Sequence, residues 1–140
     1  MAELPPGDDV RLSEHRGSCH CGAVRFTLRA PLQVIAEDCN CSICTKSAYL
    51  HLLVSAAHFT LECGADALRT YTFNTGVARH TFCAHCGVKP FYVPRSNPDG
   101  YSVNLHCVDT RGFERIRVDA FDGREWEQHA AALRSRTATP

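Results

Sequence analysis

The chain has little of what marks a membrane, secreted or nucleic-acid-binding protein. No stretch of its 140 residues approaches the roughly 20 consecutive apolar residues of a membrane span. Residues 1–16 are polar and carry Pro5, Pro6, Asp8 and Asp9 without an apolar run, so no signal peptide is expected. Excess charge is missing too. Lys plus Arg equals Asp plus Glu at 15 each, which leaves no basic footprint for nucleic acid. There is no internal repeat. These absences predict one domain in a soluble, reducing compartment, with the cytoplasm as the default.

Cysteine is what the chain has in quantity. Seven of the nine fall into three tight clusters: Cys19-x-Cys21, Cys39-x-Cys41-x-x-Cys44 and Cys83-x-x-Cys86. Such spacings place thiolates on one side of a tight turn, within reach of Zn–S bonds of about 2.3 Å. Disulfides fit less well. The total is odd, no export signal precedes it, and a bridge between Cys19 and Cys21 would close a strained local loop. The grouping matters more than the number. Two pairs can make one closed four-cysteine site, which is usually structural, while a triplet leaves a fourth position open, as catalytic zinc requires. Zinc with four thiolates carries a net charge of minus two, and with three, minus one, so a loaded protein is mildly acidic.

The apolar pattern is that of short strands. Residues 23–29 alternate apolar and polar, and Pro31 ends that run. Further strands are expected over residues 34–38, 49–54, 58–62, 68–73, 78–82, 91–93, 101–105 and 115–121. Asn74-Thr75-Gly76 reads as a hairpin turn and Asn97-Pro98-Asp99-Gly100 as a loop. Ser42–Ser47 reads as a short helical turn, and residues 124–133, around Trp126, have helical composition. The class is mostly β, with a flexible arm at 1–16, a domain over 17–134 and a tail at 135–140.

Gly22 follows Cys21 and Gly87 follows Cys86. A glycine there lets the backbone turn so that amide N–H groups point at the sulfurs and stabilise the thiolates. The two half-sites would clamp the first strand to the second half of the chain as a structural zinc site. The triplet admits three readings: an open zinc site, a closed one completed by Cys63, Cys107 or a histidine, or a redox Cys-x-x-Cys. An open site would act as a Lewis acid on a bound water or thiol, and a thiolate-rich shell favours sulfur chemistry. Cys63 reads as a core or turn residue and Cys107 as a packing residue. His20, His80 and His85 lie beside ligand cysteines in sequence and read as supporting or exposed residues. Phe121 and Trp126 would anchor the C-terminal segment.

The runs Gly17-Ser-Cys-His-Cys-Gly-Ala-Val-Arg-Phe26, Cys39-x-Cys41-x-x-Cys44-x-Lys46 and Phe82-Cys83-x-x-Cys86-Gly87 resemble the glutathione-dependent formaldehyde-activating enzyme family. The Cys-Asn-Cys-Ser-Ile-Cys wording, residues 70–75 and Tyr92-x-Pro-Arg-Ser-Asn-Pro98 are closer to its centromere protein V-like branch. The resemblance implies a β-tent fold of short stacked antiparallel sheets. It implies a structural zinc on Cys19, Cys21, Cys83 and Cys86, and a second zinc on Cys39, Cys41 and Cys44 as the site of chemistry. The implied reaction, classed with carbon–sulfur lyases, adds glutathione as cosubstrate to formaldehyde, giving S-hydroxymethylglutathione. Lys46, Arg79, Lys89 and Arg95 are the cations placed to dock glutathione carboxylates. The chain departs from the enzyme members at Asn40, where they commonly carry His, and at Thr45, where Arg-Lys is usual. The competing functions are a zinc-stabilised scaffold and a thiol-redox protein. A cavity beside a three-ligand site favours the enzyme, and a fourth protein ligand favours the others.

Overall fold

Short alternating segments cannot bury an apolar face alone, so they pair and stack. The computed structural model describes residues 11–125. In chain order its strands are β1 (Leu12–Ser18), β2 (Arg25–Pro31), β3 (Gln33–Cys39), β4 (Leu50–Ser55), β5 (Phe59–Cys63), β6 (Leu68–Tyr71), β7 (His80–Cys83), β8 (Phe91–Tyr92), β9 (Gly100–Asn104) and β10 (Arg115–Phe121). One helix, α1 (Ser42–Ser47), interrupts them, with short 3₁₀ turns elsewhere. The strands form a three-stranded sheet β1-β2-β5, a five-stranded sheet β10-β3-β4-β9-β8 and a ribbon β6-β7. This is the mostly β architecture of small sheets expected. No helix among the described residues is long and apolar enough to cross a membrane.

The alternation in β2 does what its pattern predicts. Phe26, Leu28 and Ala30 are buried while Arg25 and Arg29 face solvent. They pack with Val34 and Ala36 of β3, Leu52 and Val54 of β4 and Val103 of β9. Phe59 joins the layers, its ring 5.5 Å from Phe26, 4.7 Å from Phe91 and 4.3 Å from Tyr101. Each fully buried Leu, Val or Phe contributes about 1.5–3 kcal/mol.

Two expectations need correction. Residues 12–16 belong to β1, not to a flexible arm: β1 pairs antiparallel with β2 from Leu12↔Pro31 to Ser18↔Arg25. The run Leu-Ser-Glu-His-Arg lacks an apolar period, but backbone pairing holds it. Its one deeply buried side chain, His15, stacks on Phe113 at 3.8 Å between centroids. The sheets are also not wholly antiparallel. β10 runs parallel to β3, from Arg115↔Gln33 to Phe121↔Cys39. A parallel pair needs a long crossover, and the chain between the two strands supplies it. Residues 1–10 and 126–140, including Trp126, most of the expected C-terminal helix and the tail, lie outside the described residues.

The pairing sets the site. β3 and β10 end side by side at Cys39 and Phe121, so the residues after each strand meet. The helix α1 closes at Ala48, whose left-handed φ of 50° turns the chain back into β4.

Candidate active site

Two sulfur clusters form. Cys19 and Cys21 come from the turn between β1 and β2, Cys83 from the end of β7 and Cys86 from the turn after it. All four Sγ atoms lie within 4.8 Å of one another. Cys19 and Cys21 are 3.6 Å apart, Cys21 and Cys83 3.7 Å. Four sulfurs about 2.3 Å from a tetrahedral ion would stand about 3.8 Å apart, so the cradle already has the size of a zinc site. Gly22 and Gly87 take φ of 80° and 76°, values that favour glycine. The turns they make aim N–H groups at sulfur: Val24 donates to Cys19 and His85 to Cys83, each at 3.4 Å. Burial opposes ionisation of Cys86, but the backbone N–H groups of Cys21 and Val88 override it and pull the thiol down to about 6. The cluster could hold a metal ion, and it ties the first sheet to the ribbon.

The second cluster is Cys39, Cys41 and Cys44, again within 4.8 Å of one another. Cys39 ends β3, Cys41 caps α1 and Cys44 is the buried residue of that helix. Three sulfurs this close cannot all ionise unaided. Hydrogen bonds from Cys39 and Cys44 pull Cys41 down to about 2. The contact with Cys41 pushes Cys39 up to about 11, and contacts with Cys39 and Cys41 drive Cys44 far above the usual thiol range. A divalent cation is what would let all three become thiolates. Among the described residues no fourth His, Cys, Asp or Glu has a ligand atom within 4.8 Å of all three sulfurs, although His51 approaches one of them. Cys63 is exposed at the end of β5, not in the core, and Cys107 is half-buried with its sulfur 4.0 Å from the Lys89 carbonyl.

A cavity of about 670 Å³ opens on the triplet. That is the size of chamber that takes a small-molecule ligand. Of the cations singled out in the sequence, Lys46 and Arg95 line it. Arg79 and Lys89 do not. Arg79 bridges Val93 through its backbone, and Lys89 points its Nζ at His80 Nδ1, 2.6 Å away, over the rings of Tyr92 and Tyr49. Arg124, which no sequence signal marked, does line the cavity.

His51 carried no sequence signal, and His80, read as a supporting or exposed residue of the Cys83–Cys86 cluster, and Tyr92 were not placed at the triplet. His80 lies three residues before Cys83, yet it lines the cavity of the other cluster. His51, on β4, sits 3.0 Å from Cys44 Sγ through Nε2. Its Nδ1 faces the Ser102 hydroxyl at 2.8 Å and the Tyr92 hydroxyl at 3.3 Å, two groups that can donate to it. In the tautomer where Nδ1 accepts from these hydroxyls, Nε2–H donates to sulfur and holds the ligand in place. Burial, reinforced by Lys89, lowers His51 to about 3, so it stays neutral. Only contacts across strands bring these residues together, and no local spacing encodes them.

The segment after β10 lies over the triplet. Asn40 donates from Nδ2 to Asp122 Oδ1 at 3.1 Å and accepts at Oδ1 from the Arg124 N–H at 3.3 Å. Gly123 rests on the sulfurs: a methyl group there would overlap Cys39 Sγ and stand 2.9 Å from Cys41 Cβ. Gly123→Ala should therefore destabilise the fold by about 1–3 kcal/mol through overpacking. It should also loosen metal at the triplet more than at the four-thiol cluster. Thermal melts and chelator competition read the two effects.

Comparison with known proteins agrees with this geometry. A family model described as glutathione-dependent formaldehyde-activating enzyme matches residues 14–123. A Halomonas elongata protein provisionally named a glutathione-dependent formaldehyde-activating enzyme is 36% identical over 78 residues, 50% of this chain and 50% of that protein. The chain thus spans about half the length of that curated relative. The crystal structure of a Rhodobacter sphaeroides protein superposes with a TM-score of 0.64 and 30% identity, covering 74% of this chain and 99% of that one. All three cysteine clusters fall inside the family match, and the chain belongs to the glutathione-dependent formaldehyde-activating enzyme family.

Proposed function

We propose that the protein is a zinc-dependent carbon–sulfur lyase that joins the thiol of glutathione to formaldehyde or a similarly small aldehyde. The observation that carries this reading is the cavity beside a three-thiol cluster, with no fourth ligand atom among the described residues within 4.8 Å of all three sulfurs. The family match and the name of the Halomonas elongata relative support the substrate pair. Cys19, Cys21, Cys83 and Cys86 hold a structural zinc, and Cys39, Cys41 and Cys44 a second. Zinc on the triplet supplies Lewis acidity that favours the ionised form of a soft sulfur nucleophile.

The chain's own residues do the rest. Lys46, Arg95 and Arg124 offer positive charge to the carboxylates of glutathione from the cavity wall. Phe73, Tyr92 and Phe121 give that wall an apolar part that excludes water from the reacting centre. The new bond joins the thiol sulfur to the carbonyl carbon, and the carbonyl oxygen receives the proton that the thiol gave up.

Formaldehyde adds to glutathione without help, so the test must read a rate. Exchange NMR of the glutathione–formaldehyde adduct, with the protein at catalytic concentration, should show faster exchange than buffer alone. Two zincs per chain should be found by elemental analysis, and chelation of the weaker one should abolish the acceleration. A fully metal-loaded protein that leaves the exchange rate at its buffer value would sink the proposal.

A further inference from the structure

We propose that Lys89 locks His80 into the tautomer that carries its proton on Nε2, and that this N–H is the donor to the carbonyl oxygen of the substrate during addition. The part about the substrate rests on the reaction proposed above. The tautomer does not.

The His80 ring has its plane and its flip both fixed. It stacks on Phe73, centroids 5.2 Å apart and planes 25° apart, and on Tyr92, 4.6 Å and 16°. A ring held flat in such stacks turns its edges to its polar partners. One edge is taken, because Lys89 Nζ stands 2.6 Å from Nδ1. An ammonium has three N–H donors and no acceptor, so Nδ1 must be the bare nitrogen and Nε2 must carry the hydrogen. Nε2 has no hydrogen-bond partner among the described residues, and His80 lines the cavity. The triplet lines the same cavity.

The ring is also neutral. Burial first, then Lys89, lowers His80 to about 4. Burial brings Lys89 down to about 8, against the pull of the Cys44 and Cys41 sulfurs, which leaves it charged at neutral pH. The faces of Tyr92 and Tyr49, 4.0 Å and 4.9 Å from Nζ, hold the cation, with no carboxylate among the described residues in an ion pair with it. A neutral imidazole is a poor acid but a usable hydrogen-bond donor to an oxygen that gains negative charge. As the S–C bond forms, the π electrons of C=O pass to oxygen. The Nε2–H stabilises that charge until solvent returns the proton lost by the thiol. Lys89 touches no reacting atom and is a positioning residue. This gives it a different role from glutathione docking.

Long-range ¹⁵N–¹H NMR on the zinc-loaded protein at neutral pH reads the tautomer directly. The His80 spectrum should show a protonated Nε2 and a bare Nδ1. Lys89→Met should lose that pattern, and Lys89→Arg, which keeps a donor, should retain it. A proton on Nδ1 in the wild type, or a pattern unchanged in Lys89→Met, overturns the lock. For the donor role, His80→Phe keeps the ring stack and removes the N–H. It should lower kcat by about 10²–10³, the usual cost of one lost donor, with the KM for glutathione changed less than about threefold. An unchanged kcat overturns that role. A wild-type protein inert toward glutathione and formaldehyde sinks the proposed reaction and the donor role with it. The NMR comparison then still decides the lock.

Discussion

Cys83→Ser should leave the chain largely unfolded at room temperature. Cys83 has no exposed surface and Cys19 is only 2% exposed, and both belong to the main apolar core as well as to the four-thiol cluster. With zinc as the proposed occupant, the loss is large by any scale. A structural zinc site in a small peptide is worth about 10–16 kcal/mol of folding free energy. A whole domain is stable by only about 5–15 kcal/mol. The serine hydroxyl then adds a polar group in place of a ligand inside the apolar core. Far-UV and near-UV circular dichroism against temperature is the check, with wild type treated with a strong chelator as the parallel sample. Both should lose the cooperative transition. A Cys83→Ser protein that melts within a few degrees of wild type would show that the sheets hold without the metal.

How much of this was legible beforehand differs by the range of the cause. The nine strands marked by local alternation or turn chemistry all appear among the described residues, because a period-two pattern and an Asn-Thr-Gly turn act within a few residues. The helix at Ser42–Ser47 was equally local. β1 was not legible, since its sequence carries no alternation and its hydrogen bonds depend on β2. The parallel β3–β10 pair depends on two segments some seventy-five residues apart, and local pattern says nothing of such pairing. The site divides in the same way. The sulfur clusters were readable from spacing. His51, Gly123, Arg124 and the place of His80 and Tyr92 at the triplet were not, since β4, β7, β8 and the end of β10 meet only in the folded molecule. The case of Lys89 is the more instructive one. Its place after the Cys83–Cys86 turn suggested a cation for glutathione carboxylates, but the fold turns its Nζ to His80 and leaves it out of the cavity lining.

Cys41→Ser should do the opposite of Cys83→Ser: spare the fold and abolish the proposed activity. Cys41 is only partly buried and packs in a separate small cluster around Cys39, Cys44 and Phe121, outside the main core. Serine is close to cysteine in size, so the cavity it leaves is small. A cost of about 1 kcal/mol would move the melting temperature by roughly 2–4 °C in a chain of this length. The chemistry has no such margin. Cys41 is the thiol most easily ionised of the three, and its loss leaves two sulfurs where the proposed catalytic zinc needs three. We expect glutathione–formaldehyde exchange to fall to the buffer rate while one zinc per chain remains on the four-thiol cluster. The pair of variants tests the division of labour as one experiment, with melting temperature, bound zinc and exchange rate read on each. Equal destabilisation of both variants would mean that the triplet is a second structural site, and the enzyme reading would lose its main support.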